Sequence, residues 1–159
     1  MRIFVAILLL ITGVSSQAAP ANRHGDLGLG VMVGDTTSLT GKYWTKTNTA
    51  FDLSGGGSAE KEGWIQASYE KYFLNALSGG SRAMSEFSPY VGFGLGVGFN
   101  RTIDDVKYNN DYFARVPLGL SWLPNRTPVD IFLEAAPTMT VEPEAVISLV
   151  GNVGARYYF

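Results

Sequence analysis

Six charged residues stand where they could meet: Lys42, Asp52, Glu70, Arg115, Glu134 and Arg156. Each lies in a segment whose residues alternate between apolar and polar, and each falls on the polar side of that alternation. Cations and carboxylates gathered in an enclosed interior must pair, because an unpaired buried charge is costly. The chemistry they offer is a structural ion network, or a narrow polar passage if the network leaves a gap. Other chemistry is scarce. The chain has no cysteine and a single histidine, His24, which removes thiolate nucleophiles, disulfides and histidine-rich zinc sites. His24 precedes the first strand-like segment and reads as a solvated linker residue. The glycine strings contain neither GxGxxG nor GxxxxGK[ST], so they are not phosphate-binding loops. No catalytic residue, no metal ligand set and no cofactor is expected.

The elements that must position these charges belong to one domain. The 159 residues are 46% hydrophobic and only 16% charged, with 19 glycines, against roughly 25% charged and about 7% glycine in ordinary soluble domains. A formal net charge of -2 and scattered Lys and Arg residues give no basic patch, which excludes nucleic acid as a partner. The start, Met1-Arg2 followed by an apolar run from Ile3 to Ile11 and then Ser15-Ser16-Gln17-Ala18-Ala19, predicts a secretory signal peptide over 1–18. Cleavage after Ala18 puts small residues at Ser16 and Ala18 and keeps Pro20 away from the scissile bond. The domain is then 19–159. No later run approaches the 18 to 20 apolar residues of a membrane helix, so any membrane crossing must use strands.

Period-2 alternation dominates the rest of the chain, the mark of strands with two chemically different faces. In Tyr90–Phe99 one face is Val91, Phe93, Leu95, Val97 and Phe99, while the other is Tyr90 and glycines. The same pattern gives strands around Leu27–Gly34, Leu39–Tyr43, Phe51–Ser54, Ile65–Glu70, Arg115–Trp122, Val129–Ala135 and Ile147–Phe159. Turn residues separate them, so antiparallel hairpins are expected, with the longest connection, Leu74 to Phe87, able to hold a helical turn. The expected fold is all-β: an eight-stranded antiparallel up-and-down barrel.

The polar face decides which way such a barrel is turned. A soluble barrel would carry Lys, Glu and Asp outside, yet the alternate face of Tyr90–Phe99 is nearly bare glycine, which suits a crowded interior. No central position of the apolar faces is charged, as a lipid-facing wall requires. Aromatic residues gather at strand ends: Tyr43, Trp44, Phe51, Tyr72, Phe73, Tyr90, Trp122, Tyr157 and Phe159 near one rim, Trp64, Phe99, Tyr112 and Phe113 near the other. They are expected to form two interfacial belts. Loops facing outward are expected chiefly over Ser54–Gly63, Asn100–Tyr112 and Pro137–Ala145. Their acidic residues read as a solvated surface.

The sequence closes on Asn152-Val153-Gly154-Ala155-Arg156-Tyr157-Tyr158-Phe159. Asn152, Gly154, Tyr157 and Phe159 match a polar, glycine, aromatic, aromatic spacing that resembles the terminal signal read by the bacterial barrel-assembly machinery. The chain as a whole resembles the small eight-stranded outer-membrane proteins of Gram-negative bacteria, the OmpX and OmpA-barrel group. The carrying stretches are Leu29–Trp44, Arg115–Leu120 and Arg156–Phe159. That resemblance implies an integral protein of the outer membrane, exported through a Sec-type signal. Its implied partners are outer-membrane lipid, lipopolysaccharide and the assembly machinery, and an extracellular ligand of unknown identity is possible. A structural or surface-interaction role without catalysis is the expectation. A narrow pore or small-ligand carrier using the lumen charges is the alternative, and a lipid A-modifying enzyme a third reading, disfavoured by the position of His24.

Overall fold

The computed structural model describes residues 25–34, 37–57, 61–79, 84–103, 106–108, 110–124, 126–142 and 145–159. The expected signal peptide over 1–18 and His24 lie outside the described residues. The strands are β1 (Leu27–Gly34), β2 (Thr37–Lys46), β3 (Thr49–Gly56), β4 (Lys61–Tyr72), β5 (Phe87–Ile103), β6 (Val106–Tyr108), β7 (Asp111–Arg115), β8 (Leu118–Trp122), β9 (Val129–Glu142) and β10 (Val146–Tyr158). The segments β6, β7 and β8 all pair antiparallel with β5 and together form one interrupted stave. With β10 paired to both β9 and β1, the result is a closed antiparallel barrel of eight staves.

The interruption has a cause in the sequence. Pro117 has no N–H to give to a ladder, so the stave breaks at Val116-Pro117. Neighbouring strands repair the gap: Gly92 N donates to Pro117 O at 2.8 Å, and Val116 N donates to Pro137 O at 3.0 Å. All four backbone groups named in that repair are paired.

Side chains alternate as the period-2 pattern predicts. In β2, Ser38, Thr40, Lys42 and Trp44 are buried inside the barrel while Leu39 points outward. On β9, Leu133 is 63% exposed and its neighbour Glu134 only 5%. The inward glycines make room for rings: a side chain at Gly28 would meet Tyr158, one at Gly96 would meet Phe113, one at Gly119 would meet Tyr90 and one at Gly154 would meet Phe132. The interior is thus packed by large side chains set over bare backbone.

Two expectations are corrected. Trp44, Tyr72 and Tyr90 do not join a rim belt; they are buried with Ala50, Leu123 and Tyr158 in the one apolar cluster of the described interior. They share the inward parity of Lys42, Glu70 and Gly92, and parity outranks position near a strand end. Phe113 likewise turns inward over Gly96, and Trp64 shares the parity of inward Gln66. Tyr43, Phe51, Phe73, Tyr157 and Phe159 remain on the outer face at the end of the barrel that carries the C-terminus, with Phe99 and Tyr112 outward near the other end.

The second correction concerns the outward loops. Strands consume most of them, since β3 runs to Gly56 and β4 starts at Lys61, β5 runs to Ile103, and β9 continues through Pro137 to Glu142. Thr138, Thr140 and Val141 carry the β-favouring pattern past the proline. Within the long connection expected from Leu74 to Phe87, a 3-10 turn does form at Met84–Glu86, and it lies at the same end of the barrel as the C-terminus. Among the described residues no helix is long and apolar enough to cross a membrane.

Candidate functional site: the ion-paired lumen

All six charges singled out from the sequence are buried in the barrel interior. Their parity on β2, β3, β4, β7, β9 and β10 puts them there, and closure of the sheet brings residues as distant as Asp52 and Arg156 together. Lys42 and Asp52 face each other directly across the β2–β3 ladder. Their charged groups nevertheless take other partners.

Lys42 reaches one strand further, and its Nζ lies 2.7 Å from Glu70 Oε2. Tyr72 closes a small triangle, its hydroxyl accepting from Lys42 Nζ and donating to Glu70 Oε2 at 2.9 Å. The ammonium also sits 4.8 Å from the centroid of Tyr72 and 5.0 Å from that of Tyr90. With a fully buried lysine, these ring faces replace part of the lost hydration by cation–π attraction.

Arg156 is the hub. Its Nη2 pairs with Asp52 Oδ2 at 2.5 Å and its Nη1 with Asp130 Oδ2 at 3.0 Å. Nε donates to Thr40 Oγ1 at 3.0 Å, and Thr40 in turn donates to Asp52 Oδ2 at 3.1 Å. Ser54 donates to Asp52 Oδ1 at 2.7 Å, and Ser121 donates to Asp130 Oδ1. The planar fork of a guanidinium suits this task, because it holds two carboxylates in fixed directions where a lysine offers a point charge.

Arg115 pairs with Glu134, whose other oxygen accepts from Tyr90 at 2.9 Å. Asn152 donates to Glu134 Oε1 at 3.4 Å. Asp130, Thr40 and the buried tyrosines belong to this network although the six-residue set omits them. Asp130 shares the parity of Glu134, which is the signal that finds it.

The terminal residues fall into place around the same network. Asn152 is buried within it, and the space above Gly154 is taken by the Phe132 ring. Tyr157 and Phe159 stand outside with ring centroids 5.1 Å apart, and Phe159 N donates to Leu27 O at 3.0 Å, joining the last residue to the first strand.

Chemically, the arrangement holds charges in place. Every carboxylate of the network has a cation as partner. Among the described residues there is no group of three or more His, Cys, Asp or Glu set to hold a metal ion. The hydroxyls of Ser54 and Ser121 are engaged with Asp52 and Asp130 and have no histidine among the described residues to activate them.

A solved structure shares this architecture: the N-terminal β-barrel domain of OprF from Pseudomonas aeruginosa, at a TM-score of 0.58 and 14% identity, over 86% of this chain and 100% of that one. The likeness is one of fold. It agrees with the eight-staved antiparallel barrel read from the alternation and built by the pairings above. No protein-family model matches the chain, and no curated protein matches it.

Proposed function

We infer that this chain is an integral barrel of the Gram-negative outer membrane. Its role is envelope structure or surface interaction, without catalysis, and its termini face the periplasm. One observation carries the reading: the barrel is apolar outside and ion-paired inside, as Leu133 and Glu134 show side by side. Water would favour the reverse, since exposed apolar area costs about 25 cal/mol per Å² while buried charges lose their hydration. Acyl chains remove the first cost, and pairing offsets the second. Lipid and lipopolysaccharide are then the surrounding partners, and the barrel-assembly machinery reads Asn152, Gly154, Tyr157 and Phe159.

Fractionation tests this reading. The protein should partition with outer membranes and migrate anomalously in unboiled SDS, shifting on heating; a monodisperse species in detergent-free buffer would refute it.

The polar chain running from Asp130 through Arg156 and Asp52 favours a second reading, a narrow pore or small-ligand carrier. Planar-bilayer recordings decide between them. A pore should lose conductance on Arg115→Ala and change selectivity on Glu70→Gln, whereas a structural lumen gives no resolved channel with either. A lipid A-modifying enzyme would alter lipid A mass spectra on overexpression, and we expect no change.

A further inference from the structure

Charge is rare on the outer wall. The outward positions of β1, β8 and β10, and those of β9 through Val141, hold no charged residue. Lys71 of β4 is different: it is exposed between Glu70 and Tyr72, whose side chains lie buried inside the barrel. Lys46, exposed at the end of β2, is its neighbour across one strand, because both lysines face Thr49 of β3 in the register. Their main chains stand two strand spacings apart, about 10 Å. Among the described residues neither lysine has an ion-pair partner.

The next row of side chains marks their depth. Tyr43, Phe51, Tyr69 and Phe93 lie in register across β2, β3, β4 and β5 on the outer face, and the rings of Phe51 and Tyr69 have centroids 5.2 Å apart. Such a row belongs where acyl chains give way to headgroups. Lys71 stands two residues beyond Tyr69, toward the end that carries the C-terminus, so its ammonium falls among headgroups. Between the two lysines the hydroxyls of Thr45 and Thr49 lie 3.0 Å apart. Two ammonium groups without partners and a hydroxyl pair, set beside apolar wall, offer a seat to an anionic headgroup.

We propose that Lys46 and Lys71 bind one phospholipid of net negative charge, its phosphate held between the two ammonium groups and its acyl chains lying along β2 to β4 past Tyr43, Phe51 and Tyr69. The proposal rests on the bilayer reading, under which this end of the barrel lies in the periplasmic leaflet. Each lysine near a membrane surface is worth roughly fivefold in affinity for anionic lipid. A zwitterionic headgroup brings a cation of its own beside the lysines, which offsets part of the attraction of its phosphate. A water-borne acidic polymer fits less well, because the parity that exposes Lys71 turns it toward the acyl-chain side of the wall and away from the barrel mouth. Arg126, exposed in the turn between β8 and β9, lies on the opposite side of the ring of staves and serves as a control.

The test is native mass spectrometry of the full chain released from mixed micelles that hold phosphatidylglycerol and phosphatidylcholine in equal amounts. Wild type should retain one phosphatidylglycerol, preferred by about tenfold or more. Lys46→Gln with Lys71→Gln should bring the preference near parity, Lys46→Arg with Lys71→Arg should keep most of it, and Arg126→Gln should leave it unchanged. In micelle NMR, phosphatidylglycerol should shift the amides of Thr45, Thr49 and Lys71. Heat-dependent mobility of each variant reports that it still folds. Equal retention of the two lipids by wild type, a preference that survives the double glutamine variant, the same loss on Arg126→Gln, amides that do not move, or displacement of the lipid by inorganic phosphate or polyglutamate would overturn the proposal. Failure of the bilayer reading is seen separately in fractionation, where the protein would leave the membrane, whereas a membrane-bound barrel without lipid preference refutes this site alone.

Discussion

The ring of Phe132 lies beneath the guanidinium of Arg156, whose Cζ stands 3.8 Å from the ring centroid, and its edge fills the space left by Gly154. One aromatic side chain thus supports the hub cation and sets the clearance for the last strand. Phe132→Ala should destabilise the barrel by about 3 to 5 kcal/mol through lost packing. Gly154→Ala places a methyl group against the ring and should cost about 1 to 3 kcal/mol by overpacking. Urea unfolding in lipid vesicles, followed by tryptophan fluorescence, measures both. Equal stability of Gly154→Ala and wild type would show that the ring moves freely.

Arg156 joins two carboxylates, so its loss strands both. Arg156→Met should cost about 3 to 5 kcal/mol, because Asp52 and Asp130 keep their buried charges without a partner. Arg156→Lys should recover only part of this, since one ammonium cannot span both acids and Thr40 in the guanidinium geometry. Adding Asp130→Asn to Arg156→Met should return only part of the lost stability, because Asp52 still lacks its cation, and a double-mutant cycle in the same unfolding assay reads the Arg156–Asp130 coupling.

Much of this was readable in the residues. Alternation along Val91–Phe99 and Leu29–Val33 gave the strands and their faces, because burial on one side of a sheet imposes a period of two. The inward placement of the six charges follows from the same parity. Trp44, Tyr72 and Tyr90 carried that signal as well, standing two positions from Lys42, Glu70 and Gly92, but an aromatic at a strand end is chemically at home on either side of a rim. The partner of each charge was not readable. Whether Asp52 pairs with facing Lys42 or with Arg156 depends on barrel closure and on side-chain reach, which no local pattern encodes. The interrupted stave at Pro117 and the continuation of β9 through Pro137 show the same limit. A proline's effect depends on which neighbour would have used its N–H.

The Lys42–Glu70 pair separates structural charge from conducting charge. Glu70→Leu alone should cost about 3 to 5 kcal/mol by leaving the fully buried ammonium unpaired, while Lys42→Met with Glu70→Leu should return to within about 1 kcal/mol of wild type. Bilayer recordings of the double variant complete the argument. If the pair is structural, the doubly apolar lumen remains silent. Conductance in wild type that vanishes in the double variant would favour the pore.

A single outward substitution distinguishes lipid from water as the barrel's surroundings. Leu133 lies on the outer face in the middle of the β9–β10 pairing, opposite Val153, and Leu149 lies on the same face near the far end. In a bilayer, Leu133→Arg should cost about 2 to 4 kcal/mol and Leu149→Arg about 0 to 1 kcal/mol, because the penalty for a cation falls from the midplane to the interface. In a water-exposed wall both should fall within about 0.5 kcal/mol of wild type. Paired unfolding titrations in vesicles give the difference directly. A depth-dependent penalty can arise only if the medium changes along the wall, so equal costs at the two positions would remove the membrane from the account whatever the fold.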